Sequence, residues 1–465
     1  MSIESLPLRI LTWSLFAGCA LGLLHLVCVI GFHVPFDPNE GWNAYFAQVT
    51  WATGSPYPPA QGLMTNNYPP LSFYLIAAIG KLTGDAIIAG RIVSLTALLV
   101  IALGIVSAAQ RMGCTWLEGV FAALLFTAGL MLTSDYAGMN DPQLLGHAIA
   151  MCGMLLVLRE PRTPRLMVAA AMVFTLSFFV KHNLVVLPAA LSVWLLLADR
   201  KHAVTFIASG VILLLIGLGI FKQVFGVSLF SQIVSARSYA FANTWCGLVQ
   251  WLPWGFALIV GAGLLFLVAR RDRHVVLCVL YAVLATMAGV YFLGGAGVDA
   301  NALFDADIAL ALCAGLLMNR LQFPLWQGIA AALYAMPLGA GLWALDADWR
   351  NLDYWAHPMM EERRAADREI ALIRSAPGPV LCEMLSLCLW AGKGAEVDVF
   401  NVEQAYLTGA RSDAALAGAI AARHFALIQL EQLKPFPLTP NIHRVLERNY
   451  NIVRTDDDGV FLAPR

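Results

Sequence analysis

The chain has 465 residues, of which 59% are hydrophobic and only 13% charged, and its formal net charge is −1. Soluble proteins are roughly a quarter charged. This composition, with a mean hydropathy of +0.71, therefore indicates an α-helical polytopic membrane protein rather than a large soluble one. The net charge argues neither for nor against nucleic acid, and nothing else in the sequence predicts a nucleic-acid partner.

Apolar segments long enough to cross a bilayer, which takes about 20 residues per helix, recur along the first three quarters of the chain. Eleven spans are predicted, at residues 10–32, 88–110, 116–133, 142–158, 166–180, 184–198, 203–221, 252–269, 275–294, 303–318 and 324–345. The first exceeds the roughly 7–15-residue apolar core of a signal peptide, so we expect a membrane-spanning helix rather than a cleaved leader.

Basic residues are concentrated in alternate loops, which sets the orientation that we expect. The loops assigned to the cytoplasm contain Arg9, Arg111, Arg159, Arg162, Arg165, Arg200, Lys201, Arg270, Arg271, Arg273 and Arg320. The opposite loops contain only Lys81, Lys181, Lys222 and Arg237. This pattern predicts a cytoplasmic amino terminus and, after an odd number of spans, an extracytoplasmic carboxyl-terminal tail.

Six polar clusters fall on the predicted outer side. They are FDPNEGWNAY at 36–45, TNNYPPLS at 65–72, SDYAGMNDPQLLGH at 134–147, VKHN at 180–183, SARSYAFANTW at 235–245 and GGAGVDANALFD at 294–305. A charged side chain near the centre of a membrane helix costs roughly 2.5–3.5 kcal/mol, and ionisable groups in such proteins are by default functional. We therefore expect the six clusters to meet in one cavity.

The tail after residue 345 is more charged and predicts a small extracytoplasmic α/β domain at 346–465, beside a transmembrane domain at 1–345. Strands are predicted at 378–384, 396–400, 424–430 and 459–465. Helices are predicted at 368–375, 412–424 and 439–449, with Asp413 or Thr439 as caps. Cys382 and Cys388 are close enough to pair in an oxidising compartment, but the sequence does not favour that pairing. No Cys or Cys/His spacing of zinc type is present in the sequence.

The first outer loop, residues 33–72, is longer than most loops, and long loops in compact proteins are usually functional or disordered. Its Trp, Tyr and Pro content argues against disorder. A short interfacial helix is predicted to begin at Glu40, capped by Asp37 or Asn39, with Trp42 and Tyr45 at the headgroup level. A helix cap and an aromatic belt alone would explain one of the two carboxylates.

FDPNEGWNAYFAQ at 36–48, followed by NNYPPLSFYLIAA at 66–78, resembles the first outer loop of the GT-C superfamily of polyprenyl-phosphate-sugar-dependent glycosyltransferases. It is similar to the bacterial group of protein mannosyltransferases and lipid A aminoarabinose transferase. NDPQ at 140–143, KHN at 181–183 and the 294–305 segment lie where that group has comparable polar motifs. The resemblance implies an inverting transfer from a polyprenyl-phosphate carrier to an envelope glycolipid, polysaccharide or protein hydroxyl, at the outer face of the bacterial inner membrane.

The resemblance also implies site residues. A first-loop carboxylate acts as the base in that family, which makes Asp37 and Glu40 the candidates. The adjacent acidic pair of many relatives is replaced here by Asn39–Glu40, and alignment of that pair favours Glu40. Asp141, with Asp135 as its alternative, corresponds to a second carboxylate that orients the acceptor or, in some members, binds a divalent metal. An ordinary helix cap is the competing explanation for Asp141.

The implied phosphate-binding residues are Lys181, His182, Arg237 and Tyr239, and the implied sugar- or acceptor-binding residues are Asn43, Asn67, Tyr68, Asn140, Asn301 and Asp305. Arginine suits phosphate geometry. Snorkelling to lipid headgroups is the alternative for Lys181. Capping by Asp299 and polar helix packing are the alternatives for Asn301 and Asp305, which lie one turn apart.

Two other functions compete with a glycosyltransferase. A transporter or flippase would show internal repeats and polar groups near the membrane midplane, but no clear repeat is present and spans two, three and eleven have almost no ionisable groups. A noncatalytic envelope-assembly protein would use the first loop and the tail only to bind a partner. The six polar clusters lie together on the predicted outer side rather than near the midplane, which favours the enzyme.

Overall fold

The computed structural model describes residues 6–59, 62–321, 323–344, 355–431, 439–456 and 459–465. In the described residues before the tail there are fourteen α-helices: α1 Leu6–Val29, α2 Pro38–Thr53, α3 Leu71–Thr83, α4 Ala86–Arg111, α5 Trp116–Thr133, α6 Pro142–Val157, α7 Pro164–Val180, α8 Val186–Ala198, α9 Arg200–Phe225, α10 Ser228–Ile233, α11 Phe241–Ala269, α12 Arg273–Phe292, α13 Phe304–Arg320 and α14 Pro324–Ala344. A helix coincides with each of the eleven predicted spans.

Seven helical segments of the described chain are long and apolar enough to cross a membrane, and four more are shorter and apolar. The polytopic membrane fold is thus confirmed. Some helices differ from expectation. The helix α11 begins at Phe241, well before the span predicted at 252–269. Asn243, Thr244 and Gln250 lower the hydropathy of its first three turns, but they do not break the helix. The helices α3 and α10 were not predicted as separate elements.

The centre of the bundle is α13, and its apolar segment is 94% buried. Small residues allow this close packing: Gly315 of α13 lies against Ala122 and the backbone of Glu118 in α5. The helix α9 is the opposite case, because only 6% of its apolar segment is buried. An apolar helix surface that is not covered by protein is expected to face lipid, so α9 is a peripheral helix.

The tail folds around a four-stranded sheet, with β1 Val380–Cys382, β2 Leu427–Leu430, β3 Tyr450–Asp456 and β4 Gly459–Pro464 in the order β1-β2-β4-β3. The strands β1 and β2 are parallel, and the other neighbours are antiparallel. Its helices are α15 Met360–Ser375, α16 Leu385–Trp390, α17 Val399–Leu407, α18 Ala414–Ala421 and α19 Pro440–Asn449. Cys382 and Cys388 form a disulfide, a pairing that the sequence allowed but did not favour.

The strand predicted at 396–400 is wrong. Val397 makes only an isolated bridge with Leu63, because Asp398 caps α17 by accepting a hydrogen bond from the backbone N–H of Asn401. The fourth strand of the sheet is β3, which was not predicted. The other three predicted strands and the three predicted helices are present, and Thr439 caps α19. The side chain of Asp413 does not cap α18.

The tail lies over the first outer loop at one end of the bundle. The indole N–H of Trp42 donates to Asp398 (2.9 Å), and the N–H of Asp398 donates to the carbonyl of Leu63 (2.9 Å). Arg411 donates to the carbonyl of Gly62 (2.7 Å). These bonds close the space between α2, the 62–68 segment and the tail.

We predict that Gly41→Ala lowers the stability of the protein in detergent. A Cβ at Gly41 would lie 2.1 Å from the backbone nitrogen of Ser386, so α16 would have to move away from α2. Overpacking typically costs about 1–3 kcal/mol. The control is Gly210→Ala on α9, where a Cβ meets nothing within 4 Å. Thermal unfolding measures both; equal melting temperatures would contradict the prediction.

Candidate active site

A cavity of about 390 Å³, called here the central cavity, lies between the first outer loop and the tail. It is lined by Asp37, Pro38, Asn39, Trp42, Asn67, Tyr68, Arg237, Gly297, Val298, Asp299, Glu383, Leu385, Asp398, Val399, Phe400, Asn401 and Glu431. Four of the six polar clusters reach this wall, and the other two lie against Tyr68 and α2. A larger cavity of about 630 Å³ shares residues 297–299 with it.

Asp37 is on the wall of the central cavity at the start of α2. Its Oδ1 accepts a hydrogen bond from the N–H of Asn39 (2.7 Å), the expected contact of a helix N-cap. Burial raises the pKa of this carboxyl to about 6, and the nearby charges of Asp141 and Glu40 act in the same direction. The group is therefore ionised at neutral pH and sufficiently basic to accept a proton.

Glu40 has a different environment, because its side chain is fully buried. Its oxygens accept hydrogen bonds from the N–H of Phe36 (3.0 Å) and of Asn140 (3.0 Å). Arg91 donates to both of them, from Nε (2.8 Å) and from Nη2 (2.6 Å). Four donors thus surround this carboxylate, and it does not line the central cavity. This placement is that of a structural ion pair, and it favours Asp37 as the carboxylate that can meet a substrate.

Arg91, the partner of Glu40, was not among the predicted site residues. It lies in α4, within the second predicted span, with none of its surface exposed. Besides the bonds to Glu40 it donates to the carbonyls of Phe32 (2.8 Å) and Val34 (2.6 Å), and its guanidinium lies 3.8 Å from the centre of the Phe36 ring. The signal was a lone arginine in an apolar span, which marks a residue with a specific partner.

Asn43 and Asn140 belong to the same buried assembly. The amide of Asn43 donates to the carbonyl of Asn140 (2.9 Å), and the amide of Asn140 donates to the carbonyl of Glu40 (3.0 Å). Both side chains are fully buried and neither lines the central cavity. The predicted sugar-binding pair is thus located between α2 and the start of α6, where it connects the two.

Lys181 and Asp141 form a buried pair directly behind the cavity wall. The Lys181 Nζ lies 3.4 Å from an Asp141 oxygen and 3.5 Å from the centre of the Tyr68 ring. Asp141 also caps α6 through the N–H of Gln143 (2.7 Å). The cation is therefore held between a carboxylate and an aromatic face. Asp135, the alternative to Asp141, lines a separate cavity of about 360 Å³.

Arg237 is the one basic residue among the described residues that line the central cavity. Its Nη1 donates to the carbonyl of Ala296 (2.7 Å), and its guanidinium lies 5.2 Å from the centre of the Phe400 ring. These contacts leave other N–H groups of the fork for a ligand. Tyr239 is exposed and packs on Tyr291 instead of reaching the cavity.

His182 follows Lys181 in the loop between α7 and α8. Burial and, to a smaller extent, the charges of Lys181 and Arg237 lower its pKa to about 4. The imidazole is therefore neutral at physiological pH. Its buried Nδ1 has no hydrogen-bond partner within the described chain. A neutral ring of this kind can donate one hydrogen bond.

The polar residues before and within α13 lie in different surroundings, and not all of them reach the central cavity. Asp299 caps the 3₁₀ turn Ala300–Leu303 and lines the central cavity. Asp305 faces inward, accepts a hydrogen bond from the Tyr281 hydroxyl and lies 3.9 Å from His147. Asn301 is half-buried in the turn and is not on the cavity wall. Of the six residues expected to bind sugar or acceptor, Asn67 and Tyr68 line the cavity.

The roof of the central cavity comes from the tail, in which the sequence indicated no catalytic residue. Glu383, Asp398, Asn401 and Glu431 all contribute. Within the described parts of the chain, no group of three or more His, Cys, Asp or Glu side chains is placed to hold a metal ion. The described wall of the cavity thus carries Asp37 and one cation, Arg237, while Lys181 lies behind Tyr68.

Comparison with known proteins identifies the fold. A family described as a 6-pyruvoyl-tetrahydropterin synthase related domain, membrane protein, matches residues 65–246, which is less than half of the chain. No curated protein matches. ArnT from Cupriavidus metallidurans bound to undecaprenyl phosphate is similar, with a TM-score of 0.62 and 14% identity over 96% of both chains. Apo ArnT gives 0.59 and 14%, over 96% of this chain and 98% of the other. The chain therefore has an ArnT-like fold.

We predict that Glu40→Gln and Arg91→Gln each destabilise the protein, because each leaves an uncompensated buried charge, which costs about 3–5 kcal/mol. The double variant should lose less than the sum of the two singles, since it leaves neither charge unpaired. Chemical unfolding of the four proteins in detergent measures this. Additive losses would show that the two side chains do not act as a pair.

Proposed function

We propose that the chain is a membrane glycosyltransferase that moves a sugar, with inversion, from a polyprenyl-phosphate carrier to a hydroxyl of a cell-envelope acceptor. The observation that carries this proposal is the pairing of an accessible, weakly acidic carboxyl, Asp37, with Arg237 in one cavity. The ArnT-like fold supports it. The undecaprenyl phosphate bound to ArnT supports a polyprenyl phosphate as the carrier here.

In the proposed reaction the acceptor oxygen attacks the anomeric carbon of the sugar while Asp37 accepts the hydroxyl proton. The bond between the anomeric carbon and the carrier phosphate oxygen breaks, and its electron pair leaves with the phosphate. A base raises the rate of such a step by typically about 10²–10⁴-fold. A pKa of about 6 keeps Asp37 ionised at neutral pH but more basic than an ordinary aspartate.

The departing phosphate needs donors where its negative charge grows. Arg237 offers a guanidinium fork, whose geometry suits phosphate, and neutral His182 can donate one hydrogen bond. Lys181 is held beside the cavity by Asp141 and the Tyr68 ring. In the proposal the ammonium group of Lys181 binds the phosphate from beside the Tyr68 ring. Asp141 holds this ammonium group in place when no substrate is bound.

We propose that the central cavity faces the outside of the bacterial inner membrane, with the amino terminus cytoplasmic. The bias of Lys and Arg toward the loops at the other end of the bundle supports this orientation. So does the Cys382–Cys388 disulfide, because disulfides persist in oxidising compartments. Residues 1–345 then form the transmembrane catalytic domain and 346–465 an extracytoplasmic domain.

The reaction is tested with purified protein, a panel of labelled polyprenyl-phosphate sugars and an envelope extract. The expected result is transfer of label from carrier to extract, with release of the polyprenyl phosphate. Transfer that fails for every donor, while the folded protein still moves a carrier-linked sugar across a vesicle membrane, would indicate a flippase instead.

We predict that Asp37→Asn lowers kcat about 10²–10⁴-fold, because the amide cannot accept the proton. In the unmodified protein kcat/KM should fall as the pH drops below about 6, the pKa of Asp37, since only the ionised form acts as a base. Initial-rate assays measure both effects. The control is Asp367→Asn, an exposed carboxyl of α15. Retained turnover in Asp37→Asn would refute the assignment.

We predict that Lys181→Met weakens carrier-phosphate binding roughly 10- to 100-fold, the range expected for a charge-assisted hydrogen bond. The double variant Lys181→Met/Asp141→Asn removes the unpaired buried carboxylate and should show the same loss. The control, Lys201→Met, changes an exposed lysine of α9. Binding is measured by calorimetry with polyprenyl phosphate. Normal affinity in the double variant would exclude Lys181 from the phosphate site.

We predict that cysteine labelling from outside the cell will show which side of the membrane the tail occupies. In a background with the exposed Cys28, Cys152 and Cys246 replaced by serine, Ser412→Cys should react with a membrane-impermeant maleimide in intact cells. Lys201→Cys should react only after the membrane is opened. Both positions are exposed on the protein surface, so a difference reports the side of the membrane. The reverse pattern would place the cavity in the cytosol.

A further inference from the structure

Two carboxylates of the tail occupy a position in the sheet where ligands commonly bind. Glu383 follows β1 and Glu431 follows β2, the two parallel strands, so both residues lie at adjacent carboxyl ends. The N–H of Glu431 donates to the Glu383 carboxylate (2.8 Å). Both side chains line the central cavity. Ligands of α/β sheets bind at the carboxyl ends of parallel strands because the loops there diverge and leave a crevice.

The same wall contains hydrogen-bond acceptors that have no donor. Asn401 is only 8% exposed; its amide nitrogen donates to Asp398 (2.6 Å), while its buried Oδ1 has no partner among the described residues. A buried oxygen of Glu431 is likewise unpartnered there. Buried acceptors without donors are costly, and both residues line the cavity. The wall is therefore complementary to a ligand that brings hydrogen-bond donors.

The charge of the cavity has the same implication. Of its described lining residues, five are carboxylates and one is a cation: Asp37, Asp299, Glu383, Asp398 and Glu431 against Arg237. The cations assigned to the carrier phosphate, Arg237 and Lys181, come from the loops of the helical bundle. The carboxylates of Glu383 and Glu431 come from the tail. An anionic group placed against the roof would meet like charges in a confined space.

We propose that Glu383, Asn401 and Glu431 form a subsite that binds the transferred sugar through its hydroxyl donors and rejects sugars that carry a carboxylate. This subsite rests on the proposed glycosyl transfer and gives it a substrate class. The tail is then a specificity wall of the active site. A hexose and its hexuronate form the natural test pair, because they differ only in a hydroxymethyl or a carboxylate group.

The test uses the full-length protein in detergent at pH 8.5, above the value of about 7 to which burial raises the pKa of Glu431. Binding is measured by calorimetry for undecaprenyl phosphate alone, for undecaprenyl-phosphate hexose and for the matching hexuronate. The hexose compound should bind more tightly than the carrier alone. It should also bind at least about tenfold more tightly than the hexuronate, since like charges in a confined interface repel strongly.

The variant Glu383→Gln/Glu431→Gln should reduce that preference to less than about threefold, because the amides keep the shape of the roof and remove its charge. Asn401→Ala should lower the affinity for the hexose compound without changing the affinity for the carrier alone. The control is Glu447→Gln, an exposed carboxylate of α19 away from the cavity. It should keep the full preference.

Each outcome has one meaning. If the carrier binds but hexose and hexuronate bind equally well, or if the amide variant keeps the preference, the subsite is refuted and the proposed transferase stands. If the carrier itself does not bind, the proposed function fails, and the subsite fails with it. If the hexuronate binds more tightly than the hexose, the inferred selectivity is reversed and the proposal is overturned.

Discussion

The ion pair between Glu40 and Arg91 is the interaction on which the candidate site depends. Two opposite charges with no exposed surface are tolerated only when their hydrogen-bonding capacity is satisfied, and here the backbone of the first outer loop and of Asn140 satisfies it. The pair therefore fixes three chain segments at once: α4, the start of α2 and the turn before α6. Asp37 and Asp141 take their positions from the last two.

This arrangement divides the acidic residues of the first loop into two roles. Glu40 is neutralised by Arg91 and holds the loop in place, while Asp37, three residues earlier, remains on the cavity wall with a raised pKa. Asp37 caps α2 and Glu40 lies in its first turn. The three-residue spacing at the start of the helix therefore places the two carboxylates in different surroundings. The oxygens of Glu40 already accept four hydrogen bonds and do not line the central cavity, so they are not placed to meet a substrate hydroxyl. Stability and proposed catalysis thus require separate carboxylates.

The sequence predicted the helical architecture well because membrane spans depend mainly on apolar length, which is a local property. It also predicted that the polar clusters would meet. It did not predict Arg91, whose role depends on a partner 51 residues away, or the carboxylates of the roof, which are brought to the cavity by strand pairing. The 396–400 segment has the alternation of a strand, yet Asp398 caps a helix there. Non-local contacts decided the first two cases, and a local helix cap decided the third.

The hydrogen bond between Trp42 and Asp398 joins residues that are 356 positions apart. During synthesis the first loop is made long before Asp398. The Trp42 indole and the Leu63 carbonyl therefore have no Asp398 to bond until most of the chain has been made. The wall of the central cavity can therefore be complete only after synthesis has passed Asp398. A chain that stopped earlier would lack both of these bonds, so completion of the chain is a condition for an enclosed site.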